Sequence, residues 1–133
     1  MDAKTIQRYV GLKYVPGVFD CADLVMLVQK EVFQREIQLP QDRNRPTHLR
    51  AQYREILSWL PQLVVRREGY NVLEDGDGVL LQIGAIPIHI GVLCQLEEPY
   101  VLHADNALSG SVLTKWRQLR EFGYKVEGVY AWR

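Results

Sequence analysis

The chain has 133 residues, 47% of them apolar, and its 16 Lys and Arg balance its 16 Asp and Glu. That length and apolar content suit a single domain, residues 1–133, with a real core, and exclude a disordered or fibrous chain. A formal net charge of zero leaves no broad basic surface for nucleic acid or acidic lipid, and two Cys are too few for a disulfide-stapled scaffold or a CxxC zinc pattern.

From the N-terminus, MDAKTIQRYV lacks the apolar run of a signal peptide, so the sequence reads as cytoplasmic at synthesis or exported by a signal-independent route. Asp2 can cap a short helix carrying Ile6, Tyr9 and Val10 that stops at Gly11. An irregular link with Pro16 and Gly17 follows. From Asp20 the pattern turns strongly helical, with Cys21, Val25, Val28 and Val32 spaced four, three and four apart. Asp20 is a good N-cap, and Asp23 completes a capping box with Asp in place of Glu, so Cys21 falls in the first turn. Pro40 ends this region, and the polar link Gln41 to Pro46 leads to a second helix capped by Thr47. Its apolar face is Leu49, Tyr53, Ile56, Leu57 and Leu60, and Pro61 closes it. Arg43, Arg45, Arg50 and Arg54 read as a solvated loop and helix face.

Beyond Pro61 the signal changes to short β runs: Leu63 to Val65, Gly78 to Ile83, Ile88 to Cys94, Tyr100 to Ala104 and Val126 to Trp132. Asp75 to Gly78 form a turn before the first long strand, and Trp116 to Phe122 form one short helix between the last strands. Gly78 to Leu96 carries no charged residue and is nominally long enough to span a membrane. Gln82, His89 and Gln95 would burden a lipid-facing helix, and Gly84 and Pro87 split the stretch, so it reads as a buried β-hairpin and no membrane partner is expected. Helices first and strands second predict an α+β fold with an antiparallel sheet.

The chain has three His. His48 sits in the first turn of a polar helix. His89, in IPIHIGVL, and His103, in YVLHADN, lie on strands that, paired across Gln95 to Pro99, bring the imidazoles together on one face. A cysteine nucleophile needs the thiolate, which a free pKa of about 8.5 disfavours at neutral pH. A helix N-terminus and an adjacent imidazolium both favour it. Cys21 meets the first condition by sequence, His89 can supply the second, and neutral His103 can hold the tautomer and orientation of His89. Other readings stand beside this one. Cys21 can be a small buried apolar residue, His89 an ordinary sheet residue, and Cys21 with both His a dispersed zinc site. Cys94, five positions after His89, faces the other side of a regular strand and reads as core, so a bridge to Cys21 is not expected.

The run GLKYVPGVFDCADLV resembles the nucleophile segment of the NlpC-type papain-like cell-wall cysteine peptidases. DGDGVLLQIGAIPIHIGVL is similar to that family's Gly-Asp turn, strand and His-Gly hairpin, and YVLHADN to its third-residue strand. Order and spacing, with EVFQREIQLP after the Cys helix, suit the family's phage-tail branch. The resemblance implies an NlpC-type fold, with Cys21 as nucleophile, His89 as general base, His103 as orienting residue, and Tyr14 and Asp20 beside the oxyanion and substrate. It implies peptidoglycan stem peptides as substrate, cleaved at a γ-D-glutamyl to diamino-acid bond, phage-tail subunits as partners, action at the cell wall as a tail component or injected enzyme, and neither cofactor nor metal. The other class of function is a tail-assembly or tail-tip protein of the same fold that works by binding partners.

Overall fold

In the computed structural model, residues 1–15, 19–37, 54, 58, 61–69, 72–83, 86–106 and 109–133 are described. They form the helices α1 (Ala3–Gln7) and α2 (Cys21–Glu31) and the strands β1 (Val64–Arg66), β2 (Gly78–Ile83), β3 (Ile86–Gln95), β4 (Pro99–Asn106), β5 (Gly110–Lys115) and β6 (Lys125–Trp132). The strands make one antiparallel sheet in the order β1-β6-β2-β3-β4-β5. The architecture is therefore α+β, and β2 and β3 form the expected hairpin.

Both helix starts follow from their caps. The Asp2 carboxylate accepts from Thr5 N at 2.8 Å, and α1 ends at Gln7, one turn before Gly11 adopts φ +85°. The Asp20 and Asp23 side chains form a full capping box ahead of α2. The expected helix from Thr47 lies outside the described residues except at Arg54 and Ser58, which are helical, as do Pro16, Gly17, Arg43, Arg45, His48 and Arg50. Pro61, expected to close that helix, is itself helical, with Gln62 and Leu63, so β1 starts one residue later than expected. Trp116 to Phe122 form two 3-10 turns, Trp116–Gln118 and Arg120–Phe122, instead of one helix. Strand β5 was not foreseen, because GSVLTK has no run of large apolar residues and its burial alternates only in part.

Strand alternation gives the sheet two apolar faces. On one, Leu80, Ile90, Val92, Cys94, Leu102 and Ala104 pack against Leu24, Val25 and Val28 of α2 and Ile6 of α1. On the other, Val79, Leu81, Leu93, Val101 and Val129 pack against Leu119 and Tyr124 from the segment joining β5 to β6. Leu24, Val25 and Val28 have no exposed surface, and truncating a buried Leu to Ala costs about 2–5 kcal/mol, so this contact fixes which face α2 covers.

Polar anchors set the position of α2 along the sheet. Buried Gln29 donates from Nε2 to the Gly76 carbonyl at 2.7 Å and accepts from Arg35 Nη1 at 2.9 Å, while Trp132 Nε1 donates to the same carbonyl at 3.0 Å. Gly76 has φ +91°, and a Cβ there would lie 2.9 Å from the Phe33 ring, so the turn before β2 requires glycine. One residue on, Asp77 is 3% exposed. It accepts from Arg67 Nε at 3.0 Å, Arg67 Nη2 at 3.1 Å and Glu74 N at 2.9 Å. The link after α1 is tied to β5, with Gly11 N donating to Ser111 O at 2.8 Å and Ser111 N to Leu12 O at 2.9 Å.

Candidate functional site

Cys21 is the first residue of α2, and the chain reaches it through a tight link. Val15 and Phe19 exchange backbone hydrogen bonds of 2.8 Å in each direction. Asp20 then takes extended backbone, φ −120° and ψ −165°. Its Oδ1 accepts from Ala22 N at 3.0 Å and Asp23 N at 3.3 Å, while Asp23 Oδ2 accepts from Asp20 N at 2.9 Å. Asp20 is thus bound to the helix start, and any oxyanion at this helix end competes with its carboxylate for the Ala22 and Asp23 N–H groups. Cys21 is half-buried with a free thiol. It packs against the α2-side cluster, as does half-buried Tyr14.

The two expected histidines come together. His89 on β3 stands opposite Leu81, and His103 on β4 opposite Val112. Their ring centroids are 5.6 Å apart at 56°, and both rings meet Tyr124, at 5.5 Å from His89 and 5.1 Å from His103. His103 Nε2 lies 3.1 Å from Thr114 Oγ1 on β5. His89 is 7% exposed and His103 fully buried. Gly91 makes this close approach feasible. A Cβ there would lie 2.7 Å from Val101 Cγ1, 2.9 Å from the Leu102 carbonyl oxygen and 3.2 Å from His103 Cβ. Sequence reasoning missed Tyr124 and Thr114, since neither lies in a periodic pattern pointing to the histidines. Gly91 was legible only as part of the His-Gly hairpin.

The thiol and the imidazoles start from opposite faces of the sheet. His89 pairs with Leu81, Gly91 with Val79, and Leu93 with Val101, and these partners all belong to the cluster under Leu119 and Tyr124. The alternate positions, Ile90 with Leu80, Val92 with Leu102 and Cys94 with Tyr100, face α2 and the cluster that Cys21 joins. Cys21, at the start of α2, thus joins the α2-side cluster, while strand alternation assigns His89 and His103 to the side of Leu119 and Tyr124. Among the described residues, no group of three or more His, Cys, Asp or Glu is placed to hold a metal.

Cys94 does alternate with His89, as expected, but this places it on the side of Cys21, not away from it. It has no exposed surface and is not bridged. Burial first, and the nearby Asp75 carboxylate second, push its thiol up to about 12. No helix among the described residues is long and apolar enough to cross a membrane. No family model matches the chain, and no curated protein matches it.

Proposed function

We propose that this chain acts by binding partner subunits, as a structural phage-tail assembly or tail-tip protein of papain-like, NlpC-type architecture, and that Cys21 is not a working nucleophile. The observation that carries this reading is the placement of Cys21 and the His89–His103 pair on opposite faces of the sheet. A general base must come within about 3 Å of the proton it removes, directly or through one water. The packing of Cys21 with the α2-side cluster, and of the imidazoles with Tyr124, supports a chain in which that approach is not made. The phage-tail setting rests on the sequence resemblance of the Cys segment and of EVFQREIQLP.

A second reading has its own support: a cysteine endopeptidase or amidase acting on peptidoglycan stem peptides through Cys21, His89 and His103. The capping box at Cys21 and the ring contact between the two histidines favour it. In that reaction Cys21 Sγ attacks the amide carbonyl, His89 takes the thiol proton and returns it to the leaving amine, and water then hydrolyses the thioester.

The experiment that separates the two incubates peptidoglycan fragments with the wild type and with Cys21→Ala and analyses the products by mass spectrometry. The binding reading expects no product that depends on Cys21, together with normal tail formation in a phage encoding Cys21→Ala and failed assembly when the chain is deleted. A cleavage product present with the wild type and absent with Cys21→Ala establishes the peptidase reading instead.

A further inference from the structure

We infer that the Met1 α-amine is a modification-sensitive anchor: as the free ammonium it binds Asp75 and seats the N-terminal arm, residues 1–12, and acylation of that nitrogen unseats the arm. This is independent of whether Cys21 reacts, because it rests on the contacts of the arm. The Met1 ammonium lies 3.1 Å from Asp75 Oδ2. The Met1 side chain has no exposed surface, while the residue as a whole is half-buried, so its exposed surface belongs to the main chain that carries the amine.

Asp75 is fixed for this contact. Its Oδ1 accepts from Gln95 N at 2.8 Å, which leaves Oδ2 to the ammonium, and the next residue is Gly76, whose carbonyl Gln29 and Trp132 hold. The charges of the pair are felt in the core. Burial first and Asp75 second push the Cys94 thiol up, whereas a Leu102 backbone hydrogen bond and then the Met1 ammonium oppose them. Both charges thus lie near a thiol that has no exposed surface.

The arm needs such an anchor because little of its order is its own. Helix α1 has five residues, too few to hold a helix in water without tertiary contacts. Its attachments are to other elements. Ile6, with no exposed surface, joins the α2-side cluster, and Tyr9 OH donates to Glu31 at 2.9 Å. Leu12 N donates to Ser111 Oγ at 2.7 Å, and Ser111 N to Leu12 O at 2.9 Å.

Acyl transfer from a thioester donor to the Met1 nitrogen forms a C–N bond, breaks the C–S bond and releases the thiol and a proton. The product is a neutral amide with one N–H in place of an ammonium with three donors. Asp75, 25% exposed, then loses its cationic partner and keeps the Gln95 N–H. Loss of such a pair shifts the opening equilibrium of the arm by about three- to tenfold. Opening uncovers the seat of Ile6 against α2 and the edge of β5 at Ser111.

Ligation of a synthetic thioester of residues 1–20 to a 21–133 chain beginning at Cys21, followed by refolding, gives full-length proteins that differ only at the Met1 nitrogen: free amine, N-methyl amine and N-acetyl amide. Hydrogen exchange compares them. The anchor expects protection at Ile6, Tyr9, Gly11 and Ser111 to fall about three- to tenfold on acetylation, with β2 and β6 unchanged, and to hold in the N-methyl protein, which keeps the charge. Asp75→Asn retains an acceptor for Gln95 N without the charge, and in that background acetylation should change protection by less than about twofold. Equal protection in the free and acetylated proteins overturns the anchor, as does a loss spread equally over β2 and β6. An equal loss in the N-methyl protein overturns it by assigning the effect to bulk. Hydrogen bonds from Thr5 hold the Asp2 carboxyl low and the Met1 ammonium adds to this, so a full acetylation effect surviving in Asp75→Asn assigns the effect to Asp2 and overturns the anchor too.

Discussion

Replacing Gly91 by Ala tests the packing that brings the two histidines together. The added Cβ would lie 2.7 Å from Val101 Cγ1 and 2.9 Å from the Leu102 carbonyl oxygen. The second is main chain and cannot rotate away, so β3 and β4 must separate locally. Overpacking of this kind costs about 1–3 kcal/mol. The backbone of Gly91 is not left-handed, so Ala also restricts the unfolded chain and recovers about 0.4–1 kcal/mol. The expected net loss is about 1–2 kcal/mol, or roughly 3–8 °C in Tm for a domain of this size. Thermal melting by circular dichroism measures the loss, and the imidazole proton resonances of His89 and His103 report whether the rings move. Gly123→Ala is the contrast. It has φ +87° but open space around its Cβ, so it should lose about 1 kcal/mol to backbone strain and leave both imidazole signals in place. A Gly91→Ala protein that melts within about 1 °C of the wild type, with unmoved imidazole signals, would refute the close approach of β3 and β4 at this point.

Asp77→Ala removes the acceptor for two Arg67 nitrogens and for Glu74 N and should cost about 2–4 kcal/mol in urea unfolding; a loss below about 1 kcal/mol would mean that Arg67 finds equivalent partners elsewhere. Asp20→Ala should cost about 0.5–2 kcal/mol through the lost cap, read in the same assay, and Asp20→Asn should recover most of it. Burial holds Cys94 up to about 12 from 9.0, and burial with the Glu127 hydrogen bond holds Tyr130 up to about 12 from 10.0. The folded chain therefore keeps protons that the unfolded chain gives up. The stability these two groups contribute is complete below about pH 9 and is lost as the pH rises toward 12, which urea midpoints across that range should show as a steady fall. A flat profile would contradict the burial of both groups.

Much of the fold was legible because its signals are local. The capping box at Asp20 and Asp23 located the first residue of α2, and charge-free apolar runs bounded by Gly and Pro located β2 and β3. Alternation also separated His89 from Cys94 correctly. What local pattern could not convey was which face of the sheet α2 would cover. Both faces are apolar: Ile90, Val92 and Leu102 offer one, and Leu81, Leu93 and Val101 the other. The choice depends on Leu119 and Tyr124, which come from a segment about a hundred residues after α2 and cover the histidine face. A Cys-His-His order read along the chain is therefore compatible with two spatial outcomes, one with the Cys helix packed on the histidine face of the sheet and one with it packed on the other. Strand β5 escaped notice for a related reason, since its place depends on pairing with β4 and on the link at Gly11 and Leu12.

The most direct test of this separation is the pH profile of Cys21 alkylation by iodoacetamide, followed by peptide mass spectrometry in the wild type and in His89→Gln. If Cys21 and His89 lie on opposite faces, the two profiles coincide at every pH at which both proteins are folded. A wild-type profile with extra reactivity near pH 6 that disappears in His89→Gln would show a coupled thiol and imidazole and contradict the account.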